Sequence, residues 1–267
     1  MTRDAGTFEY DAEEARAEED AYRTAGAAER RRFVRESLDP TDGETVVSVG
    51  CGPGFEPLEL ADAVGEDGEV VGVDRSSPMC ALARDRLASS PNARVARGDA
   101  TDLPIARDAA DAATVVQVLQ YVEDPSTALA ELRRVLRTGG RAAVFLADWD
   151  TFVVRGGDPD RTETVLASWR DHCAHPTLGS RLRGPAESAG FSVRSIDPYT
   201  VADADPTPDS FAGTLIEFVT EFAADHDAVT RTVADAWRAE IRDAISGGTG
   251  FVGLTGYCYL LETTTGR

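Results

Sequence analysis

Nine consecutive residues, Val-Val-Ser-Val-Gly-Cys-Gly-Pro-Gly at 46–54, place a β-branched apolar run directly before three glycines at alternate positions, and an amphipathic stretch follows. A strand, a tight loop and a helix start are encoded in that order. Gly50, Gly52 and Gly54 carry no Cβ, so the backbone there can turn sharply and lie against a bound molecule. Such a unit belongs in a parallel sheet, whose ligands sit outside the carboxyl ends of the strands.

The residues around the loop narrow the ligand. A dinucleotide fingerprint G-x-G-x-x-G requires glycine at position 55, which is Phe55, and a phosphate-cradling loop requires a lysine, of which the chain has none. What remains is G-x-G-x-G followed about 20 residues later by an acid closing a second strand, Val70-Val71-Gly72-Val73-Asp74. A carboxylate there can accept both ribose hydroxyls of an adenosine.

Four segments, VVSVGCGPG, VVGVDRSSPM, ARGDATDLP and DAATVVQVLQYVEDPSTALAELRRVLRTGGRAAV, stand in an order and spacing that resemble the class I S-adenosylmethionine-dependent methyltransferases. The likeness is greatest to the small-molecule group, methyltransferase type 11, that includes ubiquinone and menaquinone biosynthesis methyltransferases. It implies S-adenosyl-L-methionine as cofactor, with Gly50, Gly52 and Gly54 under its methionine part and Asp74 on the ribose. It further implies Met79 against the adenine, Asp99 and Ala100 at the adenine edge, and Gln117 near the sulfonium. Cys51 and Arg75, inside the same motifs, complete the expected cofactor-binding set. Two positions depart from the pattern: Ser48 stands where the family has an acid two residues before the first glycine, and Thr138 replaces a turn proline.

The length suits a single α/β domain with additions, although two domains are also compatible with it. We expect residues 1–40 to form an N-terminal helical flap and residues 41–267 the methyltransferase domain. Its sheet is expected to be doubly wound and seven-stranded, mostly parallel with an antiparallel last strand. Strands are expected at 45–50, 69–74, 93–97, 112–117, 141–147, from about 191 to 200 and at 251–262. Helical patterns fall at 11–37, 55–64, 77–89, 126–137 and 180–189. Further helical stretches at 151–178 and 206–246 read as insertions that build a substrate pocket.

A formal net charge of −20, with 27 arginines and no lysine, repels polyanions and argues against nucleic acid as a partner. It suits a salt-rich cytosol, where screening shortens to about 3 Å at 1 M salt. The melting temperature is therefore expected to fall when salt is withdrawn, a result that thermal unfolding across a salt series checks directly. With neither a leader pattern nor an apolar run approaching 18 residues, a cytoplasmic protein without a membrane span is expected. The oligomeric state stays open, a homodimer included.

In-line methyl transfer needs alignment and exclusion of water more than it needs a base, so no catalytic residue is assigned. Tyr10, Tyr22, Tyr121, Asp148 and Trp149 are the candidates for lining a substrate pocket, with a small apolar or aromatic acceptor implied by the family. Each also reads as an ordinary packing or capping residue. The aromatics Phe152, Trp169, Phe211, Phe218, Phe222, Trp237 and Tyr257 read equally as pocket or core. His172, Cys173 and His175 lack the second cluster that would complete a tetrahedral site, so no metal is expected. Two other readings stay open: a non-catalytic S-adenosylmethionine-binding protein, and a nicotinamide-dependent oxidoreductase.

Overall fold

The computed structural model describes residues 11–203, 210–226 and 229–264. Tyr10 lies outside them. Five strands alternate with helices: β1 Thr45–Val49, α3 Phe55–Val64, β2 Glu69–Asp74, α4 Ser77–Leu87, β3 Ala93–Arg97, β4 Ala110–Val116, α5 Pro125–Val135 and β5 Leu136–Arg155. Two helices precede them, α1 Ala12–Arg23 and α2 Ala25–Leu38. After β5 come α6 Pro159–Trp169, α7 Leu178–Arg181, α8 Arg183–Ser188, β6 Phe191–Asp203, α9 Phe211–Asp225, α10 Arg231–Ser246 and β7 Phe251–Thr263.

The strands hydrogen-bond in the order β3-β2-β1-β4-β5-β7-β6. β1 to β5 run parallel, and β7 lies antiparallel between β5 and β6. This is the doubly wound, seven-stranded sheet expected from the sequence. The order reverses between β1 and β4, and such a switch opens a crevice at the carboxyl ends of the strands. β1 is buried on both faces, which is why its sequence is a continuous rather than an alternating apolar run. On one face Val34, Leu38, Leu60 and Val64 of α2 and α3 pack on Val46 and Val70. On the other, Leu129, Leu132 and Val135 of α5 pack on Val47, Val115 and Val144.

A second core sits beyond the sheet proper, where Val165, Trp169, Leu215, Ile216, Trp237 and Ile241 of α6, α9 and α10 meet Trp149, Val154 and Val252. The structure differs here from the reading of the sequence. β5 does not end near 147 but continues through an irregularity between Asp148 and Val153 to pair Val153–Arg155 with Phe251–Gly253 of β7. The extension needs a partner about a hundred residues away, and local pattern cannot reveal it. The expected helix at 180–189 is two short helices, and α5 stops at Val135 because Leu136 is already extended.

α1 is fixed to the main body from several sides. Asp11 and Glu14 form a reciprocal capping box at its start. Glu19 pairs with Arg86 of α4, and the Arg31 guanidinium donates both to the Tyr22 carbonyl at 2.8 Å and to Glu59 at 2.9 Å. Phe55, the side chain that excludes a dinucleotide fingerprint, lies parallel to the Tyr22 ring at 6.5 Å, with the Arg86 guanidinium 3.4 Å from its own centroid. Among the described residues no helix is long and apolar enough to cross a membrane.

Candidate active site

The carboxyl ends of β1, β2 and β4 open into one cavity of about 1280 Å³, roofed by α1 on one side and α9 on the other. Most small-molecule sites hold about 300–1,000 Å³, so this one has room for two ligands. Gly50, Gly52, Asp74, Arg75, Met79, Asp99, Ala100 and Gln117 line one part of it, and Tyr121, Trp149, Trp169, His172, Leu215, Phe218 and Phe222 another. Tyr22 also lines it. The sequence candidates from four strand ends thus meet in one space.

The glycine loop is held by β2. The amides of Gly50 and Cys51 donate to the Val73 carbonyl at 2.7 and 3.0 Å, and Gly50 and Gly52 both adopt positive φ, +69° and +52°. A Cβ on Gly50 would stand 2.2 Å from Val118 Cγ2, and one on Gly52 would meet the Tyr22 hydroxyl at 3.2 Å. Both glycines line the cavity, and a side chain at either would strike Val118 or Tyr22. The Asp74 carboxylate spans the loop: Oδ2 accepts from Gly52 N at 2.9 Å and Oδ1 from Ser76 N at 2.9 Å. Burial pushes its pKa up, against those two amide hydrogen bonds. Each oxygen keeps acceptor capacity for a further donor.

Two expected cofactor residues, Gly54 and Cys51, stand outside the cavity lining, and the carboxylate of a third, Asp99, is already engaged. Gly54 does not line the cavity; it caps α3 at φ +86°, and a Cβ there would lie 2.8 Å from the Ala83 Cα of α4. Its role is the close approach of two helices. The Cys51 thiol is buried and turned toward Gly72, whose virtual Cβ it would meet at 2.9 Å, so only the backbone of Cys51 shapes the loop. Asp99 lines the cavity, but its Oδ1 already accepts from Thr101 N at 2.9 Å and Thr101 Oγ1 at 2.7 Å.

Gln117 holds a left-handed backbone at φ +57°, with its N–H on the Phe145 carbonyl at 2.8 Å. Its Oε1 accepts from Ala147 N at 2.9 Å and Gln120 Nε2 at 2.8 Å, which fixes the amide orientation and leaves its nitrogen as the donor end. Met79 is buried at the start of α4, its amide held by Ser76 Oγ at 3.3 Å. Asp148, expected at the pocket, is a correction. It is buried away from the cavity lining, with Oδ2 accepting from Ser180 N at 3.0 Å and Oδ1 from Asp150 N at 3.1 Å. It ties the end of the expected fifth strand to Ser180 within α7.

Ser48, standing where the family has an acid, is itself hydrogen-bonded to one. Glu56, in the first turn of α3, is buried, and its Oε2 accepts from Ser48 Oγ at 2.8 Å and Thr114 Oγ1 at 3.0 Å. A carboxylate thus stands beside β1 after all, delivered by the helix instead of the strand. Sequence reading missed it; the one available signal was an acid eight residues after Ser48 at a helix N-terminus, where negative charge is favoured. Glu56 Oε1 is buried without a hydrogen-bond partner, and burial pushes the pKa of the group up. A carboxyl whose folded pKa is raised holds its proton more tightly in the native state. Its contribution to stability is complete below the ordinary carboxylate range and is lost as pH rises through the raised value. Glu56→Gln is therefore expected to gain about 1–2 kcal/mol over the parent at pH 8, with the gain shrinking toward pH 5. Paired thermal melts over that range check the sign.

The aromatics once readable as pocket or core divide between the two. Trp237 is fully buried in the second core with its Nε1–H on Thr162 Oγ1 at 3.1 Å. Trp169, Phe218 and Phe222 line the cavity. His172, weighed from sequence as a metal ligand, lines it too, stacked on Trp169 with ring centroids 4.0 Å apart.

Comparison with known proteins agrees with this geometry. Residues 47–144 match a family model described as a methyltransferase domain. The chain is 32% identical over 243 residues to an uncharacterized 37.1 kDa protein in transposon TN4556 of Streptomyces fradiae, covering 90% of this chain and 69% of that protein. It is 43% identical over 106 residues to the 2-phytyl-1,4-naphtoquinone methyltransferase of Synechococcus elongatus, covering 39% of this chain and 46% of that one. The fold superimposes on the YcgJ protein from Bacillus subtilis with a TM-score of 0.64 at 16% identity, over 90% of this chain and all of the other (100%). The matched span runs from β1 into β5 and contains the glycine loop, Asp74 and Gln117, and with the sheet order in accord the protein belongs to the class I S-adenosylmethionine-dependent methyltransferases.

Proposed function

We propose that this protein transfers a methyl group from S-adenosylmethionine to a small, apolar or aromatic molecule held between the carboxyl ends of the sheet, α1 and α9. The observation that supports it best is a single cavity with a bare glycine loop and a carboxylate in one part and an aromatic wall in the other. The residues fit the cofactor: Gly50 and Gly52 offer backbone to its methionine part, Asp74 its carboxylate to the ribose, and Met79, Asp99 and Ala100 a surface for the adenine. Bound there, the cofactor supplies an activated methyl on a positive sulfur.

The protein's own contribution is placement and exclusion of water. Tyr22, over Gly52, makes α1 the flap that covers the cofactor, and the Glu19–Arg86 pair holds that flap to α4. The insertions carrying α6, α9 and α10 provide the acceptor wall. Alignment of two partners in such a site can supply on the order of 7–11 kcal/mol of the barrier. The net charge of −20 supports salt-rich surroundings and disfavours polyanionic acceptors.

The test is calorimetric titration with S-adenosylhomocysteine and NAD at molar salt, followed by transfer of labelled methyl from S-adenosylmethionine to a panel of quinols and phenols. Binding of S-adenosylhomocysteine but not NAD, with label in at least one acceptor, is the expected outcome. Binding without turnover on any acceptor would favour a non-catalytic binding protein.

A further inference from the structure

Three polar atoms in the acceptor half of the cavity have no hydrogen-bond partner in the protein. They are Trp149 Nε1, Trp169 Nε1 and His172 Nε2, all buried, on side chains that all line the same cavity. Their rings form one patch: Trp149 to His172 4.6 Å, Trp149 to Trp169 5.4 Å and Trp169 to His172 4.0 Å between centroids. Buried polar groups are ordinarily paired, so three exceptions in one patch ask for an explanation. Trp237 sharpens the contrast, since in the core its indole N–H does have a partner, Thr162 Oγ1 at 3.1 Å.

The chemistry of the three atoms is fixed. An indole N–H only donates. His172 Nδ1 lies 2.5 Å from the Trp169 carbonyl, which only accepts, so the proton sits on Nδ1 and Nε2 carries a lone pair. Burial lowers the His172 pKa to about 4 and keeps the ring neutral. The patch therefore presents two donors and one acceptor.

The complement of that set is a hydroxyl, which donates once and accepts through its lone pairs. A protonated amine donates but cannot accept from an indole. A carboxylate or phosphate accepts but cannot donate, and Glu123, Asp124, Glu221 and Asp225 on the cavity wall repel it. Around the patch stand Leu215, Phe218 and Phe222, and Phe222 is edge-on to Trp169 at 5.4 Å and to His172 at 6.3 Å. The polar patch is thus flanked by apolar side chains, which suits a polar group carried on an apolar skeleton.

We propose that Trp149, Trp169 and His172 are the polar anchor of the acceptor pocket, selecting a neutral hydroxyl carried on an apolar or aromatic skeleton. The inference rests on the methyl-transfer reading for the identity of the cavity and adds the substrate class and the residues that recognise it.

The experiment titrates the protein, saturated with S-adenosylhomocysteine at molar salt, with 1-naphthol, naphthalene, 1-naphthoate and 1-naphthylmethylammonium in a calorimeter. 1-Naphthol is expected to bind at least tenfold more tightly than the other three. His172→Phe, which keeps a ring and removes the acceptor, should abolish that preference, and His172→Gln, which restores an acceptor near the Nε2 position, should recover part of it. Trp149→Phe removes one donor and should reduce the preference even if the His172 variants fail to fold. Equal binding of naphthol and naphthalene, tightest binding of a charged probe, a preference unchanged in the variants, or no probe binding at all overturns the anchor. If S-adenosylhomocysteine still binds in those cases, the methyltransferase reading stands; failure of S-adenosylhomocysteine to bind the parent protein removes that reading as well.

Discussion

Replacing Asp74 with alanine is expected to weaken S-adenosylhomocysteine binding by about 2–4 kcal/mol, roughly 30- to 1,000-fold in Kd. Two losses combine. The ribose hydroxyls lose a charged acceptor, and the amides of Gly52 and Ser76, each 2.9 Å from an Asp74 oxygen, lose the carboxylate that holds the loop to the start of α4. Asp74→Asn separates the two: its amide oxygen keeps one of those hydrogen bonds, so the loss should be smaller while the charge is gone. Titration calorimetry with all three proteins, alongside their melting temperatures, gives the answer. Unchanged affinity in Asp74→Ala would remove Asp74 from the cofactor site.

Gly54→Ala is expected to cost about 2–5 kcal/mol of stability. A left-handed φ of +86° is unfavourable for alanine by about 1–2 kcal/mol. The new Cβ would also lie 2.8 Å from the Cα and 2.9 Å from the Cβ of Ala83, so α3 and α4 would have to separate, adding about 1–3 kcal/mol. Gly139 is the control, because it has φ +77° and nothing within 4 Å of its virtual Cβ. Gly139→Ala should show the backbone cost alone. Denaturant unfolding of both variants measures the difference, and equal losses would mean that helix packing does not define the role of Gly54.

The same glycine shows where reading residues in order succeeds and where it stops. The strand, loop and helix around Gly50, Gly52 and Gly54 were legible because alternate glycines after a β-branched run have few other structures open to them. Their functions were not. Gly50 and Gly52 face the cavity, and Gly54 lets two helices touch, a distinction that depends on where α4 lies. Asp74 was legible because its place at the end of β2 is set by local pattern. Asp148 had the same credentials at the end of the expected fifth strand, yet it holds Ser180 of α7, because β5 continues and pairs with β7.

Glu56 and His172 make the converse case. Nothing in the order of residues says that an acid on α3 is buried against Ser48, since Ser48, Thr114 and Glu56 meet only when β1, β4 and α3 are stacked. His172 could be weighed from sequence as a metal ligand. Its meaning appears only when β5, α6 and α9 bring Trp149, Trp169 and Phe222 around it.

The sequence alone determined the alternation of strands and helices, the loop that bares its backbone, the carboxylate opposite it and the family that shares them, because each depends on the conformational limits of a few neighbouring residues. Tertiary structure decided which of two equally acidic or equally aromatic side chains faces the cavity and which is walled into the core. That choice depends on contacts between segments up to a hundred residues apart, whose direction is set by sheet pairing and helix packing and leaves no periodic trace in either segment.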